Sequence, residues 1–333
     1  MNNFKVLRVY RENEANQSRV ESSTIDALSA GDIVIKVTHS SVNYKDALAI
    51  TGAGNILRQF PLIAGIDAAG YVVSSPDKTL QEGDAVIVTG HEFGTNHDGG
   101  YAEYARIPVQ WVVPLPNGMS PQTAMSIGTA GFTVALCVQR LEDNFQRPEY
   151  GPFIVTGASG GVGSLAIDIL SKLGYEVVAV SRKPQVHDRL LGFGAHAVLD
   201  RNTIDLSGTV LERGQWGGGI DNVGGDMLAW LTRTTRAWGN IISVGMAEKT
   251  HLNTTVMPFI LRGISILGVS SAGCPIQMRH ALWKRLATDL APRYLDEIVT
   301  QVIALEDIKE YAEALIAGTV IGRAVVRISE SSN

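Results

Sequence analysis

The chain is poor in groups that bind metals or cross-link a fold. Its 333 residues include two cysteines, Cys137 and Cys274. That number excludes a disulfide scaffold and a four-cysteine zinc site, and fits a reduced compartment. No block of Lys or Arg stands out, and 28 basic against 33 acidic residues leave a net charge of −5. Nucleic acid is therefore not an expected partner. No uninterrupted apolar run reaches the roughly 18 residues expected of a membrane helix, so no membrane partner is expected either. The opening Met1-Asn2-Asn3-Phe4-Lys5 has no apolar signal core before Arg11 and Glu12, which makes the cytoplasm the expected location. No internal repeat, low-complexity tract or long linker is visible.

Glycine, by contrast, is plentiful, at 35 residues, and apolar residues reach 45%. The second figure is ordinary for a chain that buries a core. The first suggests many tight strand-to-helix turns, as an α/β fold requires. At roughly 100–200 residues per domain, the length points to two domains.

The first 120 or so residues read as β-rich. Val6–Tyr10, Asp32–Val37, Tyr71–Val73 and Ala85–Val88 are short apolar or alternating runs between turn residues. After about Pro121 the pattern changes. Residues 123–141 read as two helical pieces, with Gly128 and Gly131 as the only turn signals. Pro152–Val155 reads as a strand. Val162, Leu165, Ala166, Ile169, Leu170 and Leu173 then fall on one face of a helix. Further strands are expected at 176–180, 197–199, 219–223 and 239–244, with helices at 186–193 and 227–235 between them. Such alternation implies a parallel sheet with right-handed crossovers. The tail reads as helix 276–290, strand 298–305, a helix around Ile308–Ile316 and strand 324–328, and could return to the first domain. The expected division is 1–121, 122–272 and 273–333.

The strongest motif is Thr156-Gly157-Ala158-Ser159-Gly160-Gly161-Val162-Gly163. It lies between a predicted strand and a predicted helix, the setting that gives a glycine-rich loop meaning. Glycines let backbone amides approach a pyrophosphate, and the helix N-terminus adds donors and a favourable dipole. The spacing departs from G-x-G-x-x-G, because Ala158 stands where the first glycine belongs. NAD-specific folds place Asp or Glu at the end of the second strand, about 20 residues on. Here that strand ends in Ser181-Arg182-Lys183. No anion is present and two cations are, which favours the 2′-phosphate of NADPH.

The zinc enzymes of this general type need His or Cys ligands. Gly90-His91-Glu92 looks superficially apt but lies too late in the chain. The corresponding earlier segment reads Gly65-Ile66-Asp67, with no cysteine nearby. His91 and His97 are read as loop residues, and no metal site is expected. Hydride transfer without a metal is easier to a conjugated acceptor, whose enolate hydrogen-bond donors can stabilise.

With these residues in view, the sequence resembles the acrylyl-CoA reductase and quinone oxidoreductase branch (YhdH/YhfP type) of the zinc-independent medium-chain dehydrogenase/reductases. The matching segments are Val42-Asn43-Tyr44-Lys45-Asp46-Ala47-Leu48, Phe60 to Gly70, Gly128-Thr129-Ala130-Gly131-Phe132-Thr133, the phosphate loop, Met257-Pro258-Phe259-Ile260-Leu261-Arg262-Gly263 and Gly322-Arg323. The resemblance implies an α/β protein, with a GroES-like β-rich catalytic domain and a Rossmann doubly wound parallel-sheet domain. It implies an NADPH-dependent oxidoreductase and a homodimer, with 264–269 at the seam. Its cofactor contacts would be Tyr44, Thr129, Ser159, Gly160, Gly161, Val162, Ser181, Arg182, Lys183, Asn222, Val223, Val244, Gly245, Gly268, Ser270, Ser271 and Arg323. The family's Gly-Val/Ile-Asp-Ser is here Gly268-Val269-Ser270-Ser271, which removes a carboxylate.

The implied reaction is reduction of acrylyl-CoA or another 2-enoyl-CoA to the saturated thioester. The catalytic candidates are Tyr44, Asn43 and Asp46. Tyr44 would donate the proton or merely pack on the cofactor. Asn43 would orient the ring or substrate. Asp46 would fix the loop or cap the helix after it. Arg58 and Arg262 are candidate cations for CoA, with structural roles as the alternative. A quinone reductase on the same scaffold, a non-catalytic NADPH-binding protein and a zinc alcohol dehydrogenase are the competing readings.

Overall fold

A computed structural model describes residues 3–329 and divides into two compact units. The first runs up to Thr129, takes in Ser271–Thr288 and resumes at Val299; the second comprises Ala130–Ser270 and Asp289–Ile298. The short return at 289–298 lay within the expected tail of the first domain. It belongs with the second unit because the buried Asp168 carboxylate accepts the backbone N–H of Arg293 (2.7 Å), its Nε (2.9 Å) and the N–H of Tyr294 (3.1 Å).

The first unit is built on a seven-stranded sheet. Along it lie Val299–Ile303, Arg323–Arg327, Ile33–Ser41, Asp67–Ser74, Ala85–Thr89 and Val112–Pro114, with Tyr104–Ile107 pairing off the path against Ile33–Ser41. Period-2 patterning explains the central strand: Ile33, Ile35 and Val37 are fully buried, with Val34 and Lys36 partly exposed between them. The alternation then stops. Thr38, His39, Ser40 and Ser41 are polar yet all buried; Ser40 Oγ donates to the Asp67 backbone carbonyl at 2.6 Å, and Ser41 joins the polar cluster described below. A smaller sheet joins Ala15–Ser23, Phe4–Glu12 and Leu62–Ile63.

The second unit is a six-stranded, all-parallel sheet. Its order is Ala197–Asp200, Val177–Ser181, Phe153–Val155, Trp216–Asp221, Thr235–Ser243 and Ser265–Gly268. Numbered along the chain, that is 3-2-1-4-5-6, the order of a doubly wound dinucleotide-binding sheet. Its switch point lies between Phe153–Val155 and Trp216–Asp221. Strands 4 and 5 start earlier than expected, at Trp216 and Thr235, and end earlier, at Asp221 and Ser243. Asn222, Val223, Val244 and Gly245 therefore stand just past the strand ends, where ligands of such sheets bind.

The stretch expected to hold two helical pieces is Pro121–Asp143, broken at Gly128 (φ 51°, ψ −161°). By length and hydropathy alone this helix could cross a membrane, but 83% of its apolar window is buried within the protein. The expected helix 276–290 stops at Leu286.

Candidate functional site

In the second unit, the chain leaves Phe153–Val155 at Thr156 and enters the helix Gly161–Lys172 with Gly160 as its N-cap. No side chain caps that N-terminus, so its first amides remain available to an anion. Gly157 makes the left-handed turn (φ 59°). Gly163 permits the close approach: a Cβ there would lie 2.4 Å from the Gly157 carbonyl oxygen and 2.6 Å from Ala158 Cα. The turn and packing roles thus fall to Gly157 and Gly163, which explains how Ala158 is tolerated.

Asp221 braces the loop. Its carboxylate accepts the Thr156 hydroxyl (2.6 Å) and the Gly224 N–H (2.7 Å). Burial raises its pKa, and the Thr156, Gly224 and Val223 hydrogen bonds oppose the shift. Asn222 donates through Nδ2 to the Thr156 carbonyl (2.7 Å), and its backbone N–H donates to Thr156 Oγ1 (3.0 Å). Asn222 Oδ1 is buried with no partner. An orphan acceptor at the switch point is what a ligand donor would satisfy. Val244 and Gly245 donate their N–H groups to the Asp221 carbonyl at 2.9 and 3.2 Å. Ser159, Gly160, Gly161, Val162, Asn222, Val223, Val244 and Gly245 thus gather at the carboxyl ends of one sheet.

At the next strand end, Ser181 is buried and its Oγ accepts the Lys183 N–H (3.1 Å). Burial lowers the Lys183 pKa. Arg182 is ion-paired with Glu248, which also faces Arg201 at 3.7 Å. Sequence reasoning points to neither Glu248 nor Arg201. Gly268 closes the edge strand and Ser270 is exposed. In the first unit, the Ser271 carbonyl accepts Arg279 Nη2 at 2.7 Å.

The first unit holds a buried polar cluster. Asp67 accepts Ser41 Oγ (2.6 Å), Asn43 Nδ2 (2.9 Å), the Thr129 N–H (2.8 Å) and Thr129 Oγ1 (2.5 Å). Asp46 accepts the N–H groups of Asn43 and Ile66, both at 2.9 Å. Burial, and then the charge of Asp67, push the Asp46 pKa up to about 7, against the hydrogen bonds from Asn43 and Ile66. Arg323 is also buried; its Nε donates to the Ser126 carbonyl (2.8 Å) while Nη2 has no partner. Burial lowers its pKa, with Asp67 the largest opposing influence. Gly128 keeps this space open, since a Cβ there would lie 2.7 Å from Arg323 Nη2 and 2.9 Å from Asp67 Oδ2.

Asn43 N-caps the helix Tyr44–Thr51 and bridges Asp46 to Asp67. The Asp46 carboxylate faces backbone amides, so its place is that of a helix cap. Tyr44, one residue past the cap, is 45% exposed.

Residues 29–117 match the family model "Alcohol dehydrogenase GroES-like domain", and residues 161–288 match "Zinc-binding dehydrogenase". The chain is 42% identical over 327 residues to YhfP of Bacillus subtilis (strain 168), which bears the provisional name of a quinone oxidoreductase; the match covers 98% of this chain and 99% of that one. It is 39% identical over 331 residues to acrylyl-CoA reductase AcuI of Ruegeria pomeroyi, covering 98% and 99%. The chain belongs to this AcuI/YhfP family of medium-chain oxidoreductases. The solved yhdH oxidoreductase of Salmonella enterica, in complex with NADP, superimposes with a TM-score of 0.95 at 43% identity, covering 98% of this chain and 100% of that one. The structure of Bacillus subtilis yhfP with NAD bound gives 0.95 at 41% identity, covering 98% and 100%.

As an AcuI/YhfP family member, the chain has the fold its sequence resembles: a GroES-like β-rich domain with a Rossmann sheet. The second family description names zinc, but the donor set does not suit that ion. Among the described residues, no group of three or more His, Cys, Asp or Glu could hold a metal. His91 stacks on Trp111 with ring centroids 5.3 Å apart, and burial followed by the Arg279 charge lowers its pKa to about 4. His97 places its two ring nitrogens 2.9 Å from the carbonyls of Asp98 and Ala30. A nicotinamide dinucleotide fits better: the uncapped loop amides and the orphan Asn222 acceptor lie at the switch point of a doubly wound sheet and offer the donors and acceptor such a ligand needs. Arg262 is a structural tie, with its guanidinium on the carbonyls of Arg233, Thr235 and Glu212. Arg58 is exposed.

Proposed function

We propose that this protein is a cytoplasmic, zinc-independent NADPH-dependent reductase of a conjugated carbon–carbon double bond, with acrylyl-CoA or a related 2-enoyl-CoA as substrate. The observation that carries the reading is the braced loop at Gly157–Gly163 beside Asn222, at the switch point of a 3-2-1-4-5-6 sheet. Bound there, NADPH supplies a hydride to the β-carbon.

The chain's own residues do the rest. The amides of Ser159–Val162 hold the pyrophosphate. Ser181, Arg182 and Lys183 hold the adenosine phosphate. Asn222, Val223, Val244, Gly245, Gly268, Ser270 and Ser271 complete the cofactor contacts. Thr129 presents a hydroxyl oriented by Asp67, and Arg323 steadies that carboxylate electrostatically. The Tyr44 phenol donates the proton that reaches the α-carbon, directly or through water. Asn43 and Asp46 are positioning residues, because they fix the first turn of the helix that carries Tyr44.

A homodimer is part of the proposal. Strand Ser265–Gly268 ends the sheet, and Trp238, Ile260 and Leu261 of the same unit are exposed apolar side chains.

The name of the relative YhfP favours a second reading, a quinone acceptor. Initial rates of NADPH oxidation with acrylyl-CoA and with benzoquinone separate the two. The proposal expects the thioester to give kcat/KM about tenfold or more above the quinone, about 1.4 kcal/mol in transition-state binding. The reverse order would transfer the assignment to quinone reduction.

A further inference from the structure

The pyrophosphate and adenosine ends of the cofactor are assigned above to residues of the second unit, which leaves its nicotinamide end to the first. There Thr129 is held by Asp67. Ser271 sits on a turn that leads into the helix Ile276–Leu286. That turn wraps around one side chain of the helix, Arg279. The guanidinium donates through Nη2 to the carbonyls of Ser271 (2.7 Å) and Ala272 (3.3 Å), and through Nη1 to Thr89 Oγ1 (2.9 Å). The Ala272 carbonyl also accepts the His91 N–H at 3.0 Å. Gly90 lets the turn come this close: a Cβ there would lie 2.9 Å from Ala272 Cα and 3.0 Å from Arg279 Nη2.

Arg279 is fully buried, at 0% exposure. Burial lowers its pKa, opposed by Cys274 and then by Asp67. The effect of Asp67 follows from register, because Thr89 is its partner on the neighbouring antiparallel strand. Side chains of directly opposed residues share one face of a sheet, so the guanidinium on Thr89 lies on the side of the Asp67 carboxylate. Packing alone does not account for a cation here. A buried charge is weak evidence for stability, since an apolar side chain of similar volume often anchors a helix as well. What an apolar side chain cannot do is hold two successive carbonyls and a hydroxyl with one rigid fork.

We propose that Arg279 is a positioning residue for the nicotinamide half of the cofactor: it fixes the turn that presents Ser271, and its charge supports the Asp67 carboxylate that orients Thr129. The inference rests on the NADPH reading and deepens it. Two contacts with the nicotinamide half then share one support. The adenosine half, held by residues of the second unit, does not depend on it.

The test uses the full-length protein and compares NADPH with 2′,5′-ADP, which carries the adenosine end alone. Binding of both is measured for the wild type, Arg279→Met, Arg279→Lys and Thr89→Val. The wild type should bind NADPH more tightly than 2′,5′-ADP. Arg279→Met should weaken NADPH about tenfold, the size expected when a buried carbonyl loses its donor. Its affinity for 2′,5′-ADP should change less than about twofold, as for an independent site. Arg279→Lys should recover part of the loss, to about threefold below the wild type, because an ammonium keeps the charge without the fork. Thr89→Val should weaken NADPH about threefold, again sparing 2′,5′-ADP. A damaged fold moves both ligands together, so the ratio of the two affinities is the readout. If the Arg279 variants do not fold, Thr89→Val decides alone. Two results overturn the inference while the NADPH reading stands: a wild type that binds NADPH no more tightly than 2′,5′-ADP, or a ratio within about twofold of wild type in every folded variant. If the wild type binds neither ligand, both fall.

Discussion

Asp46 illustrates how a single buried carboxylate couples cap geometry to pH. Its pKa rises from 3.8 in the unfolded chain to about 7 in the folded one. Between those values the folded protein holds a proton that the unfolded chain has released. Stability from this group is thus fully present below about pH 4 and is lost as the pH rises toward 7, by about 1.4 kcal/mol for each pH step of one across that window. Asp46→Asn should flatten that slope, because an amide oxygen still accepts from the Asn43 or Ile66 N–H. Melting both proteins at pH 5 and pH 8 checks this: the variant should gain relative to the wild type at the higher pH. An unchanged difference between the two pH values would place the titration elsewhere. Tyr44 calls for a kinetic test at the same scale. Tyr44→Phe should reduce kcat by about 100-fold, the usual worth of a positioned proton donor, with NADPH affinity within about twofold. Near-normal turnover would leave Tyr44 a packing role only.

Among the elements, the loop and helix at 156–172 make the sharpest prediction. Gly163→Ala would drive a methyl group to 2.4 Å from the Gly157 carbonyl. The expected cost is about 1–3 kcal/mol of stability from overpacking. NADPH affinity should fall with it, read by fluorescence titration, because the loop must shift away from Asp221 and Asn222. Gly128→Ala should destabilise by a similar amount, about 1–3 kcal/mol, since φ 51° with ψ −161° suits only glycine. Thermal melts check that figure. The loop was legible in the sequence because strand, glycines and helix periodicity agreed. Other elements were not. Strand Ala15–Ser23 reads Ala-Asn-Gln-Ser-Arg-Val-Glu-Ser-Ser, and it is held by nine-residue pairing with Phe4–Glu12 rather than by apolar alternation. Its turn uses Asn13 and Glu14 at φ 49° and 64°, without the glycine that marks such hairpins.

On the scale of the whole molecule, the two units differ in how legible their functional residues are. In the second unit, contiguous motifs reported the glycine-rich loop directly. The ion pairs of Arg182 and Arg201 with Glu248 were invisible, because nothing local links residues so far apart in the chain. In the first unit, Asn43, Thr129 and Arg323 were reached through family resemblance. The structure adds the reason for their presence: all belong to the buried network around Asp67. The proposed dimer is also a property of this scale. Sedimentation should give twice the 35.7 kDa chain mass, and Ile260→Asp should shift it toward the monomer, since a charge at an apolar seam is left unpaired. A wild-type monomer at micromolar concentration would remove the dimer. The central claim is hydride delivery from NADPH to a conjugated carbon, and isotope tracing tests it most directly. NADPH carrying deuterium at the transferred position, turned over with acrylyl-CoA, should place deuterium on the β-carbon of the propionyl product and a solvent proton on the α-carbon. A saturated thioester lacking deuterium, or no thioester reduction at all, would contradict the account.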